Sequence, residues 1–238
     1  RAVKGDGGWR VTGHKIWTSS AHTADYGALL ARTDPDAAKH RGLGYFIVDM
    51  RADGIEVQPI RQANGEAHFN EVFLTDVFVP DEMLLGGPTD GWNLAIATMA
   101  QERVAISGYV NADRAAILRQ LANDGGPDQH LVLPALGEAD AYANAIKVLA
   151  AREVIRLLDG QSAGPASSIA KVAMNVLLRR IFKATLELSA PAALTENPSE
   201  FPSVVEPYFH LPAELIGGGT KEIQLNIIAQ MILGLPRR

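Results

Sequence analysis

The chain has 238 residues, of which 47% are hydrophobic and 21% are charged, and this balance excludes a largely disordered protein. It contains no cysteine, so disulfides, thiolate metal sites and cysteine nucleophiles are excluded. The 22 basic and 27 acidic side chains give a net charge of −5, which argues against a broad nucleic-acid-binding surface.

The residues given predict neither export nor insertion into a membrane. No run approaches the about 18 apolar residues needed to cross a bilayer, and the first residues lack the apolar stretch of a signal peptide. We therefore expect a cytoplasmic protein without membrane contact. Because the chain lacks an initiator Met, we interpret it as part of a larger protein.

The first 80 residues contain short runs with the alternation of strands. Residues 9–11 and 15–18 flank the turn-like Thr12-Gly13-His14, which predicts a hairpin. Further strands are predicted at 26–32, 45–50, 55–60, 69–75 and 77–79. With no helix between them, these strands favour an antiparallel β-barrel or sandwich.

From Asp90 onward the apolar period changes to about 3.6, the period of a helix. Helices are predicted at 92–122, 131–158, 166–188 and 220–233, and a proline-rich loop at 195–212. Four helices of this length are typical of an up-and-down four-helix bundle. The sequence thus predicts an α+β protein with a β domain at 1–88 and a helical domain at 89–238.

Glycines open the last predicted helix, in the run Gly217-Gly218-Gly219-Thr220. Glycine lets a ligand approach the backbone closely, and a helix N-terminus offers free N–H groups to an anion such as phosphate. A flexible hinge capped by Thr220 explains the same run.

Two other short motifs carry chemistry. Glu102-Arg103 lies within an apolar helix, where it is either a catalytic carboxylate beside an anion-binding arginine or an exposed ion pair. Trp17-Thr18-Ser19 ends a strand, where an aromatic ring and hydroxyls suit a planar ligand, although a core tryptophan and a capped strand end are the common alternative.

Metal and nucleotide motifs of the usual kinds do not occur. None of the six histidines has the spacing of a paired metal ligand, so we expect no metal. Gly-x-Gly-x-x-Gly, the P-loop and Gly-x-Ser-x-Gly are absent, which excludes dinucleotide binding in the Rossmann manner.

Several motifs, in the same order, resemble those of acyl-CoA dehydrogenases. They cover nearly the whole chain and lie at 13–19, 28–33, 54–60, 69–73, 77–80, 90–92, 102–103, 218–229 and 233–237. The chain is similar to the middle β-domain and C-terminal helical domain of that family, without its N-terminal helical domain. The resemblance implies that FAD lies between the β and helical domains and that an acyl-CoA thioester is desaturated between Cα and Cβ.

The resemblance also implies roles for residues in three places. On the strand, Trp17 matches the tryptophan beside the isoalloxazine ring, Ser19 matches the hydroxyl residue that bonds flavin N5, and Thr18 lies between them. Near the C-terminus, Thr220 and Glu222 match positions on the FAD phosphate and adenosine side, while Gly218 and Gly219 lie at the thioester. On the long helix, the stretch that binds CoA matches Ala100, Gln101 and Arg103.

The catalytic base departs from the common pattern. Many members carry a glutamate directly before the Gly-Thr pair, and here that position is Gly218. Branches resembling isovaleryl- and long-chain-type enzymes place the base just before the helical arginine instead. Glu102 stands there, so the resemblance implies that Glu102 removes the α-proton and that the Gly218 N–H polarises the thioester carbonyl.

A second departure concerns FAD. The Arg-x-x-Phe-Gly loop expected after the long helix is missing at 120–127, and 188–192 replaces a glycine-rich FAD segment. Both resemble divergent actinobacterial-type homologues, some of which act as unequal subunit pairs on bulky thioesters such as sterol side chains. The family implies a homo- or hetero-oligomer and an electron-transfer flavoprotein or similar acceptor.

Three readings of function stay open at this point. The first is an FAD-dependent acyl-CoA dehydrogenase, and the second is a non-catalytic partner subunit of a heteromeric dehydrogenase. The third is a nucleic-acid-binding relative of the family, against which the acidic charge argues.

Overall fold

The computed structural model describes residues 1–108, 115–123, 129–161, 165–189 and 205–236, and for 103–108 and 205–207 it describes the backbone alone. The chain divides into two compact units, Arg1–Thr98 and Met99–Arg238.

The first unit contains two antiparallel sheets. One has the strand order β1-β2-β6-β5 and the other β3-β4-β7. The strands are β1 Ala2–Gly5, β2 Gly8–Ser19, β3 Tyr26–Arg32, β4 Leu43–Asp49, β5 Ile55–Ile60, β6 Phe69–Pro80 and β7 Leu84–Leu85. Trp9 and Val11 of β2 and the alternate inward residues of β6, among them Val77, face a core that also contains Phe46 of β4. This arrangement confirms the predicted antiparallel β architecture in its sandwich form, since the sheets do not close into a barrel.

The hairpin predicted at 9–18 is wrong, because these residues form the single long strand β2. Two irregularities let β2 pair with β6 along its whole length. The first puts an extra residue on β6 opposite Thr12, and the second puts an extra residue on β2 at Ile16-Trp17. Such bulges bend a strand without ending it, so the turn-like residues do not reverse the chain.

The second unit is helical. It comprises the C-terminal part of α1 Gly91–Gly108, then α2 Ala116–Asn123, α3 Gln129–Leu158, α4 Ser167–Ser189, α5 Val205–Ile216 and α6 Lys221–Ile227, with a π-helical turn at Ile228–Ile232. Helix α4 packs against α2, α3, α5 and α6. Leu118, Ile146 and Leu177 are buried in the core that these helices share. Sheets followed by helices confirm the predicted α+β class.

The loop predicted at 195–212 is wrong for residues 205–212, which belong to α5, and its remainder, 195–204, lies outside the described residues. Pro207 is tolerated because it stands in the first turn, where its missing N–H has no intrahelical partner. Pro212 stands inside the helix, next to the buried Leu211. The helix predicted at 92–122 is α1 and α2, with 109–114 between them outside the description. No helix in the described residues is long and apolar enough to cross a membrane.

Candidate functional site

Trp17 presents an exposed ring at a strained point of β2. Its side chain is 62% exposed, and its backbone has a φ of 61°. Positive φ is rare for a bulky residue and costs on the order of 1–3 kcal/mol, a strain that concentrates at functional sites. The indole packs edge-on against Phe69, with 6.3 Å between ring centroids. The bulge at Ile16-Trp17 thus offers an aromatic surface to a ligand.

Thr18 and Ser19 continue the strand beyond the bulge. The carbonyl of Thr18 accepts a hydrogen bond from Asn70 Nδ2 at 3.0 Å. Ser19 pairs with Phe69 in the ladder, and its side chain is exposed. Among the described residues, the Ser19 hydroxyl has no hydrogen-bond partner, so it is available to a ligand that lies over Trp17.

The glycine turn, residues 217–220, connects α5 to α6. Gly218 and Gly219 have φ values of 69° and 100°, which L side chains rarely adopt. The N–H groups of Gly217 and Gly219 donate to Ala213 and Ile216 of α5, whereas the Gly218 N–H has no acceptor among the described residues. This unpaired donor is the one that the sequence predicts to face a thioester carbonyl.

The buried side chain of Gln224 supports the glycine turn through a hydrogen bond. It is 1% exposed, and its Nε2 donates to the Gly218 carbonyl at 2.8 Å. A Cβ on Gly219 would lie 2.5 Å from that same Nε2. Only glycine therefore fits at 219 while Gln224 keeps this hydrogen bond.

Thr220 caps α6, its hydroxyl oxygen accepting from the Ile223 N–H at 3.4 Å. The pKa of Glu222 is lowered by its own backbone N–H, then by the Thr220 hydroxyl and the charges of Lys221 and Arg179. Glu222 is therefore an ionised, exposed carboxylate. Such a group accepts hydrogen bonds from hydroxyls or amines of a ligand and repels a phosphate.

The remaining predicted residues lie on α1. Ala100 is half-buried, and Gln101 and Glu102 are exposed, while the side chain of Arg103 lies outside the described residues. The structure thus gathers the predicted residues into three local groups, on β2, at the glycine turn and on α1. In the part of the chain that the structure describes, no three His, Asp or Glu side chains could hold a metal ion.

Sequence reasoning missed Asn70 and Gln224. Asn70 is fully buried and begins the inward series of β6 that continues with Val72 and Leu74. A polar residue at the first of these inward positions was the available signal. Gln224 follows Thr220 by one helical turn, a spacing that places both residues on the same face of the helix, next to the glycine turn.

Residues 1–77 match the middle domain of acyl-CoA dehydrogenases. Residues 89–233 match the C-terminal domain of the same family. The chain belongs to the acyl-CoA dehydrogenase family, as the motifs predict.

Relatives in mycobacteria are similar over all or nearly all of the chain. Acyl-CoA dehydrogenase FadE34 of Mycobacterium tuberculosis is 40% identical over 242 residues, covering 100% of this chain and 33% of that protein. Acyl-CoA dehydrogenase IpdE1 of Mycolicibacterium smegmatis is 31% identical over 233 residues, covering 96% of this chain and 58% of that protein. The solved ChsE4-ChsE5 complex from Mycobacterium tuberculosis is 27% identical with a TM-score of 0.82, covering 100% of this chain and 64% of that chain. The chain thus spans less than two thirds of the length of these relatives.

Proposed function

We propose that the protein is an FAD-dependent acyl-CoA dehydrogenase that desaturates an acyl-CoA thioester between Cα and Cβ. The observation that carries the proposal is the exposed and strained Trp17 beside the Ser19 hydroxyl, which no other described residue hydrogen-bonds. Its relatives FadE34 and IpdE1 are named as acyl-CoA dehydrogenases, which supports the same reaction class.

The residues present fit a flavin. Trp17 offers an aromatic face for the ring system, and Ser19 offers an exposed hydroxyl to its N5 edge. Thr220 caps α6 and Glu222 lies in its first turn, where the carboxylate suits the hydroxyl-bearing adenosine side. When bound, FAD supplies the acceptor for the hydride that leaves the substrate's β-carbon.

Two groups of this chain act on the thioester in the proposal. The Gly218 N–H donates to the thioester carbonyl and stabilises the negative charge that develops there. Glu102 removes the α-proton, which requires the bound substrate to exclude water from a carboxylate that is exposed in this chain. Ala100, Gln101, Arg103 and Gly219 line the path of the CoA and acyl groups.

The test is the visible absorbance spectrum of the full-length protein before and after anaerobic addition of an acyl-CoA panel that includes a sterol-side-chain thioester. Bound flavin that bleaches supports the proposal. In Glu102→Gln we expect flavin binding to be unchanged. The rate at which the acyl-CoA bleaches the flavin should fall by at least about a hundredfold, because the amide cannot accept the proton. Glu82→Gln, the same change at an exposed glutamate outside the proposed site, is the matched control. Unchanged bleaching in Glu102→Gln contradicts the assignment of the base.

The second candidate is a non-catalytic partner subunit. The missing Arg-x-x-Phe-Gly motif favours it, and the similar ChsE4-ChsE5 structure is a complex of two different chains. Flavin that is absent, or that no thioester bleaches, selects this candidate. Co-purification with a second dehydrogenase-like chain that carries the motif then supports it.

A further inference from the structure

We propose that Asn70 is a positioning residue for the flavin-contact segment (residues 17–19). Its side chain connects this segment to His22 by hydrogen bonds. The inference rests on the proposed function, because it assigns Asn70 to the same flavin site. Neither residue belongs to the site read from the sequence.

Asn70 makes three polar contacts although it is fully buried. Its Nδ2 donates to the Thr18 carbonyl at 3.0 Å and lies 3.5 Å from the His68 carbonyl. Its Oδ1 lies 3.0 Å from His22 Nδ1. Both acceptors of Nδ2 are carbonyls, so the amide has one orientation that satisfies them. Its oxygen then accepts from His22, which carries its proton on Nδ1.

The flavin-contact segment needs such an anchor. Trp17 and Ser20 both have positive φ, at 61° and 55°, so the backbone is strained on each side of Thr18 and Ser19. Strained residues keep their conformation only where the surroundings over-determine it. The Ser20 N–H also donates to the His68 carbonyl, at 2.8 Å, so the strand end is held from both sides of Ser19.

Simple core packing does not account for Asn70. The next inward residues of β6, Val72 and Leu74, fill the sandwich with apolar side chains. A valine at 70 would pack similarly without the desolvation of an amide. The amide instead fixes the carbonyl of the residue between Trp17 and Ser19, the two side chains that are proposed to contact the flavin.

The test uses Asn70→Asp in the full-length protein. The carboxylate keeps the shape of the side chain but directs an oxygen at two carbonyl oxygens, so the Thr18 carbonyl loses its side-chain donor. We expect FAD to bind roughly tenfold more weakly, with an altered visible flavin spectrum. His22→Ala removes only the exposed partner, and we expect a smaller weakening with the same spectral change.

Thr12→Val is the matched control, because it deletes another side-chain bond between β2 and β6, the 3.2 Å bond from the Asp76 N–H. FAD affinity and spectrum should stay at wild-type values there. If Asn70→Asp does not fold, the test depends on His22→Ala. Wild-type FAD affinity and a wild-type flavin spectrum in His22→Ala then overturn the proposal. A folded Asn70→Asp with a lower melting temperature but wild-type FAD affinity and spectrum also overturns it. A wild-type protein that binds no FAD refutes the proposed function itself, and this inference with it.

Discussion

Ser19 exposes a hydroxyl at the end of β2, beside the strained Trp17, and among the described residues this hydroxyl has no hydrogen-bond partner. We expect Ser19→Ala to weaken FAD binding or to slow flavin reduction by up to about tenfold, the effect of losing one hydrogen bond. Titration of the apoprotein with FAD and anaerobic stopped-flow reduction would measure the two effects. Ser20→Ala removes the adjacent exposed hydroxyl and should change neither. Wild-type affinity and reduction in Ser19→Ala would exclude the N5 contact.

The residues of this site differ in how far sequence can reveal them. The roles of Trp17 and Ser19 were predicted from motif resemblance. The positive φ of Trp17 was not predictable, because strand alternation specifies the face on which a side chain lies and not the backbone angle. The inward position of Asn70 follows from alternation with Val72. Its bond to Thr18 depends on strand register, which only the folded chain supplies.

The glycine turn gives a prediction at the scale of connected helices. Gly219→Ala should lower the free energy of unfolding by on the order of 1–3 kcal/mol, because alanine is strained at a φ of 100° and its Cβ would meet Gln224 Nε2 at 2.5 Å. Urea unfolding followed by circular dichroism would measure the loss. Gly217→Ala is the control, since its Cβ meets nothing closer than 3.3 Å. Equal losses in the two variants would contradict the role of Gln224.

Element ends explain where prediction from sequence fell short. Proline content predicted a loop where α5 forms, because local propensity does not register the tertiary contacts that support the helix. Lys171 Nζ donates to the Glu214 carbonyl at 2.8 Å, and Asn175 Nδ2 approaches the Leu215 carbonyl at 3.4 Å. These α4 side chains satisfy carbonyls that the last turn of α5 leaves without helical partners. Residues some 40 positions apart in sequence make these bonds, which no local pattern contains.

At the scale of the whole chain, the change of apolar period near Asp90 was sufficient to predict sheets followed by helices. Each unit has a core of its own, around Phe46 in the first and Leu177 in the second, so each period reports on a separate set of buried residues. The strand order was not predictable in the same way. Strand β6 pairs with its neighbour in sequence, β5, but also with β2, and alternation does not encode this second, non-local pairing.

The stability of the chain should depend on alkaline pH through Lys171. Burial lowers the pKa of this lysine below 10.5, and the charge of Glu214 offsets part of that shift. Between the lowered pKa and 10.5, Lys171 binds more protons in the unfolded chain than in the folded chain. The contribution of Lys171 to the free energy of unfolding therefore rises with pH in that window. Lys171→Met should therefore flatten the rise measured by urea unfolding at a series of pH values.

The control for this titration is Lys183→Met on the same helix. Lys183 is exposed and pairs with Glu187 four residues along, so Lys183→Met makes the same substitution on this helix without removing a buried ammonium. A slope in Lys171→Met that equals those of the wild type and of Lys183→Met would show that Lys171 keeps an ordinary pKa. Lys171 would then stay charged in the core of the helical unit. In that case the hydrogen bond to the Glu214 carbonyl of α5, and not deprotonation, offsets the cost of removing the ammonium from water.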